Sequence, residues 1–330
     1  MKAAILLLLV LTTPAMAADK TAKFTYQEIT DPYLVSINSH DEKAETTRTD
    51  QSVIHGVYVN MQGQSIEFTC GLITPAFLEG TSPAKINDKG QIIGTCPKGN
   101  FDIRNEVAFI RERNGAMTII QQPGADHTYL WGINTKGQAA GLYYNPLDGR
   151  SGLYRIHGLI YDKGKLVTVD LPSTDGRPPV TQLLGIDDAG RAIGVFFTFD
   201  TVTNETGTLR PFLYDNGQVT WLDFGLWTDV QDINALGTIV GNSSRGGFLW
   251  DDGSFYLIEP PTGKAITSVD SIDDSGRIVG RYRQDPCPVD QFGFPNCPSH
   301  QFIATPVVEQ KGKGKGKDFQ TFVDTRSNTP

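Results

Sequence analysis

A nine-residue pattern, Ile-[Asn/Asp]-x-x-Gly-x-x-x-Gly, occurs five times in this chain and leaves few folds open to it. The copies begin at Ile86, Ile133, Ile186, Ile233 and Ile272, and a degraded sixth begins at Ile37-Asn38 without either glycine. Successive isoleucines are 49, 47, 53, 47 and 39 residues apart. Self-similarity at about 40 to 50 residues marks an array of small units, and four-stranded propeller blades have this size.

Each unit reads as four strands. The first runs into the Ile-Asn, as in Tyr129 to Asn134, and the first glycine of the pattern supplies a turn with positive φ. The second follows at once, as in Gln91 to Gly94. A third, such as Pro211 to Tyr214, is joined through Asp215-Asn216-Gly217 to a fourth, Gln218 to Leu222. These runs alternate or are rich in β-branched residues, and turn residues bound them. The last unit has three strands and no fourth, and Phe24 to Ile29 supplies the missing one. The expectation is an all-β chain forming a single β-propeller of six four-stranded blades, its ring closed by an N-terminal strand completing the last blade.

Residues 1–17 read as a secretory signal peptide: Lys2, an apolar run from Ala3 to Leu11, and the small-residue end Ala15-Met16-Ala17. That run is about half the length of a membrane span, and no later segment approaches one. The propeller is assigned to residues 18–306, and Lys311 to Lys317 opens a polar Lys/Gly tail within 307–330. The location implied is secreted or periplasmic, and the four cysteines then suggest two local disulfides, Cys70 with Cys96 and Cys287 with Cys297. A net charge of −8 gives no attraction to nucleic acid or anionic membranes. A monomer is expected.

A third register mark precedes the third strand of each unit: His55-Gly56-Val57, Val107-Ala108-Phe109, His157-Gly158-Leu159, Arg210-Pro211-Phe212, Gly246-Gly247-Phe248 and His300-Gln301-Phe302. With the Ile-Asn pattern and a Pro123-Gly124 loop, this order resembles the bacterial extracellular HAF-repeat proteins, from about Phe24 to Thr305. The resemblance implies a propeller and no established activity.

The topology puts the tight turns on one face, and the long loops between second and third strands on the other with the blade crossings. The long-loop face at the channel mouth is therefore where a ligand is expected. His55, His157 and His300 share one register in three blades, too far apart for one ion, so they are read as structural. The Asp-rich turns hold too few ligands for calcium, and no metal or cofactor is expected. The aromatic positions after the second strand, Tyr143, Tyr144, Phe196, Phe197 and Tyr282, read mainly as packing between blades, with some emerging at the loop face. Candidate ligand contacts are Arg104, Asp126, His127, Tyr143, Tyr144, Arg155, Trp227, Tyr282 and Arg283, with Arg150 nearby.

No nucleophile elbow, phosphate loop or HExxH stands in the sequence. The function expected is a binding or scaffold module for a glycan, peptide or cell-envelope partner. The alternative is an exported hydrolase or lyase whose groups converge at the channel mouth.

Overall fold

The computed structural model describes residues 20–30, 33–48, 54–70, 80–97, 106–146, 154–173, 175–200, 205–224, 227–289, 291 and 296–307. The expected signal peptide, the tail beyond Val307, and Arg104 and Arg150 lie outside them. The chain opens with β1 (Lys20–Ala22) and β2 (Phe24–Ile29). Blade 1 is β3 (Leu34–Ile37), β4 (Lys43–Arg48), β5 (Ile54–Val59) and β6 (Ser65–Phe68), and blade 2 is β7 (Ser82–Ile86), β8 (Ile92–Pro97), β9 (Glu106–Arg111) and β10 (Met117–Ile120). Blade 3 comprises β11 (His127–Ile133), β12 (Ala139–Pro146), β13 (Tyr154–Asp162) and β14 (Lys165–Val169). Blade 4 comprises β15 (Pro179–Ile186), β16 (Ala192–Asp200) with its short extension β17 (Glu205–Thr206), β18 (Arg210–Asp215) and β19 (Gln218–Trp221). Blade 5 is β20 (Thr228–Ile233), β21 (Ile239–Ser243), β22 (Gly246–Asp251) and β23 (Ser254–Ile258). Blade 6 is β24 (Lys264–Ile272), β25 (Ile278–Gln284) and β26 (His300–Pro306), completed by β2.

The six sheets form a six-bladed propeller. Closure is as expected: Phe24 to Ile29 pairs antiparallel with Pro306 to Gln301. The sequence reading did not anticipate β1, which adds in parallel to the outer strand of blade 5 and buries Ala22. The first residues of the fold thus tie its last two blades together. Apolar residues are buried between neighbouring blades, as where Ala44 and Tyr58 meet Ile86, Ile92 and Phe109. Both disulfides pair locally as expected, Cys70–Cys96 across the blade 1 to blade 2 junction and Cys287–Cys297 between β25 and β26.

The second glycine of the repeat and the Phe of the third mark are one device. Gly94 pairs directly with Phe109, Gly194 with Phe212, Gly241 with Phe248 and Gly280 with Phe302. A Cβ on Gly94 would lie 2.2 Å from the Ser82 carbonyl oxygen and 2.7 Å from the Phe109 ring. The ring covers the bare backbone, the arrangement that rescues glycine in a strand. Blade 1 moves the pair outward by one strand: Gly56 pairs with Phe68, while Glu45, at the second-glycine position, faces Val57. Its turn survives without the first glycine because Asp41 itself adopts φ +62°. Gly94→Ala or Gly280→Ala should destabilise the fold by about 2 to 3 kcal/mol, as overpacking does. Thermal denaturation with an unchanged midpoint would contradict this reading.

The Asn or Asp after each repeat Ile builds a ring of clamps on the tight-turn face. Asn87 Oδ1 accepts from the backbone N–H groups of Lys89 and Gln91, both at 3.0 Å. Its amide donates at 2.7 Å to the carbonyl of Asn134 in the next blade. Asn38, Asn134 and Asn234 donate onward in the same way, at 2.9, 2.7 and 3.2 Å. Asp187 and Asp273 have no amide to donate, and each instead holds an arginine four residues on. Arg191 binds Asp187 at 2.7 Å, and Arg277 binds Asp273 at 2.8 Å and reaches the Asn38 carbonyl at 2.5 Å. Arg277 also pairs with Asp41, so one side chain joins the last blade to the first.

A second set of contacts alternates around this ring. Ser39 donates backbone and hydroxyl hydrogens to Asp88, and Thr135 does the same to Asp188. Ala235 has only its backbone N–H for Asp274, at 2.7 Å. Burial pushes the Asp274 carboxyl up to about 6, with Asp88 and Asp188 adding to the rise. Between about pH 4 and 6 the folded chain therefore holds a proton that the unfolded chain, with an aspartate near 3.9, has released. This site's contribution to stability falls as pH rises through that window. Ala235→Ser should supply the missing hydroxyl, lower the Asp274 pKa and flatten the dependence. Melting midpoints of both proteins from pH 4 to 7 would show it, and parallel curves would refute it.

Candidate ligand-binding channel

The innermost strands β3, β7, β11, β15, β20 and β24 follow one burial pattern relative to the repeat Ile. One residue before it stand Ser36, Lys85, Gly132, Gly185, Asp232 and Ser271, all buried. Three before it stand Leu34, Pro83, Leu130, Leu183, Val230 and Val269, also buried. Between them Val35, Ala84, Trp131, Leu184, Gln231 and Asp270 all retain solvent exposure. In all six strands the pairing register shifts across this middle residue. A bulge re-aims a side chain. Here the shift falls at the residue that stays incompletely buried on the innermost strand of every blade.

The buried level closes the channel. Lys85 of blade 2 donates to Asp232 of blade 5, the blade opposite. Asp232 also accepts from the backbone N–H groups of Ile233 and Ile272 at 2.8 and 2.9 Å. Blades 3 and 4 touch at this level, since a Cβ on Gly132 would lie 2.4 Å from the Cα of Gly185. On the tight-turn side lies a cavity of about 10 Å³ lined by Asn38, Asn87, Asp88, Asn134, Asn234 and Asp274. That is room for one water-sized species, and no group of three metal-ligating side chains is present among the described residues.

On the other side of the plug, toward the long-loop face, each inner strand leaves residues incompletely buried, and the space they surround is here called the vestibule. Its deep ring is the exposed set containing Trp131, Gln231 and Asp270. Two residues nearer the mouth stand Tyr33, Ser82, Tyr129, Gln182, Asp229 and Ser268. Blade 3 supplies an aromatic ladder: the Trp131 ring lies parallel to Tyr129 at 5.8 Å, and Tyr129 parallel to His127 at 5.9 Å. Trp131 is nonetheless 42% exposed. Tyr144 meets both His127 and Tyr129 edge-on. The Tyr129 hydroxyl bonds Glu106 of blade 2 and lies 3.2 Å from His127 Nδ1. Burial would raise the Glu106 carboxyl, but hydrogen bonds from His127 and Tyr129 outweigh it and hold it below the usual range.

The sequence-derived candidates separate clearly in this frame. His127 and Trp227 share one register, six residues before the repeat Ile, at the mouth; Trp227 is 58% exposed. Tyr144 belongs to the ladder's flank, and Asp126 precedes it with its N–H donating to the Tyr144 carbonyl at 3.0 Å. Arg155 is exposed on β13, and Arg283 is half-buried on β25. Tyr143 and Tyr282 are buried instead, which corrects their reading as ligand contacts. Tyr143 stacks on His157 at 4.7 Å and bonds Thr168, while Tyr282 stacks on His300 at 5.8 Å and donates to Glu28 at 2.7 Å. Phe196 is likewise buried, and Phe197 is half-buried.

His55, His157 and His300 each hold a carboxylate of their own blade's outer strand or its end: Glu67 at 3.2 Å, Asp170 at 2.8 Å and Glu28 at 2.7 Å. Sequence reasoning pointed to the long-loop face but did not name Trp131, Tyr129, Gln231, Asp229 or Asp270. Two fixed offsets, two and four residues before the repeat Ile, contain all five.

No protein-family model matches the chain, and no curated protein matches it. Among solved structures, it is similar to the β-propeller domain of the Trilobed protease from Pyrococcus furiosus, at 10% identity and a TM-score of 0.40, covering 86% of this chain and 96% of that one. It is also similar to a protein of unknown function from Dyadobacter fermentans, at 10% identity and a TM-score of 0.45, covering 88% and 97%. A third similar structure is the polysaccharide lyase Uly1, at 10% identity and a TM-score of 0.39, covering 89% and 94%. Fold and disulfides together give a six-bladed propeller with two local cross-links, consistent with an extracellular or periplasmic protein.

Proposed function

We propose that this protein is an exported binding module that receives part of a glycan in the vestibule on its long-loop face. The observation that carries the reading is Trp131, a large aromatic left 42% exposed and backed in parallel by Tyr129. An exposed ring held flat by a second ring is a stacking platform for the apolar face of a sugar. Rigid aromatics of this kind give contact area at little entropic cost. The plug formed by Lys85 and Asp232 makes the vestibule blind, which suits capture better than passage. Trp227 and His127 at the mouth extend the same surface outward.

Screening the secreted form against an array of oligosaccharides should yield binders, and Trp131→Ala should weaken their binding at least tenfold with the fold intact. Unchanged binding by that variant would overturn the reading. An enzymatic alternative rests on one observation: the Tyr129 hydroxyl contacts both His127 and Glu106, an arrangement able to pass a proton. Shortened or unsaturated products appearing on incubation with the bound glycan, and lost in Tyr129→Phe, would favour a hydrolase or lyase.

A further inference from the structure

The walls of the vestibule differ in chemistry from one side to the other. Blade 3 contributes Trp131 to the deep ring; blade 6, opposite it, contributes Asp270 at the same register. One residue deeper along each strand, Lys85 and Asp232 of another opposed pair of blades meet across the ring. Asp229 of blade 5 stands one level nearer the mouth. It is half-buried, its carboxylate accepts from Gln231 at 2.7 Å, and it has no cationic partner among the described residues. Burial raises its pKa against that hydrogen bond. Asp270 is bound at 3.3 Å by Arg281, the cation of this wall. The lysine of the floor is already neutralised by Asp232.

An indole face on one side and carboxylates on the other suit a cation. Tryptophan is the best aromatic partner for an ammonium group, and desolvation strengthens the contact. A half-buried carboxylate without a counter-ion gains from the same guest through a charge-assisted hydrogen bond. We propose that the residue seated in the vestibule is a hexosamine with a free, protonated amino group, its ring against Trp131 and its ammonium toward Asp229 and Asp270. This rests on the glycan reading above and names the class of sugar.

The test compares three tetrasaccharides of equal length: β-1,4-linked glucosamine, its N-acetylated counterpart, and cellotetraose. Titration calorimetry of the full secreted protein near pH 5.5 is the readout, with tetralysine as a fourth probe. The glucosamine oligomer should bind at least about tenfold more tightly than either neutral one. Asp229→Asn should remove most of that preference by weakening the glucosamine oligomer far more than the neutral ones, with its melting midpoint confirming the fold. Equal binding of all three sugars would overturn the amine assignment and leave the glycan reading standing. Binding of none would overturn both, and binding of tetralysine alone would assign the vestibule to a peptide. A preference that survives intact in both Asp229→Asn and Asp270→Asn would also refute the proposal.

Discussion

Replacing Lys85 by methionine should lower the melting temperature by roughly 10 °C, the largest effect expected of any single substitution in the channel. The lysine is 7% exposed and its partner Asp232 is 3% exposed, so the change strands a carboxylate in a closed interior. Breaking a buried pair in this way costs about 3 to 5 kcal/mol, and each kcal/mol moves the midpoint of a domain of this size by a few degrees. The second variant decides the cause. Lys85→Met combined with Asp232→Asn removes the charge and keeps an acceptor oxygen for one of the two N–H groups, of Ile233 and Ile272, that the carboxylate's separate oxygens bind. It should recover most of the lost stability. A double variant no better than the single would mean that packing, and not the stranded charge, governs the site.

Removing residues 20–29 should abolish cooperative folding. The deletion strips six residues of ladder from β26 and three from β23, and takes Phe24 and Ala22 out of the core between blades 5 and 6. It also uncovers two strand edges that could pair with other chains. The expected product is an aggregating protein without a sharp thermal transition. Removing only residues 20–22 should cost far less, since β2 still closes blade 6. A ten-residue truncation that melts like the intact protein would show that the ring holds without its N-terminal strand.

The architecture was legible because each blade repeats the same physical necessities. A tight turn demands positive φ, met by Gly90 and four equivalent glycines, and a ring such as Phe109 needs a bare glycine opposite it. Blade 1 hid its membership by meeting both demands differently, with Asp41 in the turn and the Gly56–Phe68 pair one strand further out. The switch from Asn to Asp with an arginine four residues later, at Asp187–Arg191 and Asp273–Arg277, was also present in the letters. At Arg277 its meaning emerges only when the first blade is in place to receive the hydrogen bond on the Asn38 carbonyl.

The candidate site was less legible. Strict alternation puts Tyr129 and Trp131 on one side of β11 and the buried Thr128, Leu130 and Gly132 on the other, but it does not say which side is left open once the ring closes. The aromatic residues after the second strand looked equally available, yet Tyr143 and Tyr282 are consumed by stacking on the histidines of their own blades. Which wall of the channel faces which is a property of the closed ring, and opposed pairs such as Lys85 with Asp232 lie 147 residues apart.

The most direct test of a blind, ligand-receiving vestibule is tryptophan emission during titration with a glycan found to bind. The chain has four tryptophans, and Trp131 is the one in the deep ring. The ligand-induced change should lose most of its size in Trp131→Phe, with any remainder lost when Trp227→Phe is added, and persist in Trp221→Phe and Trp250→Phe. A change that survives intact in Trp131→Phe would place the ligand elsewhere and contradict the account.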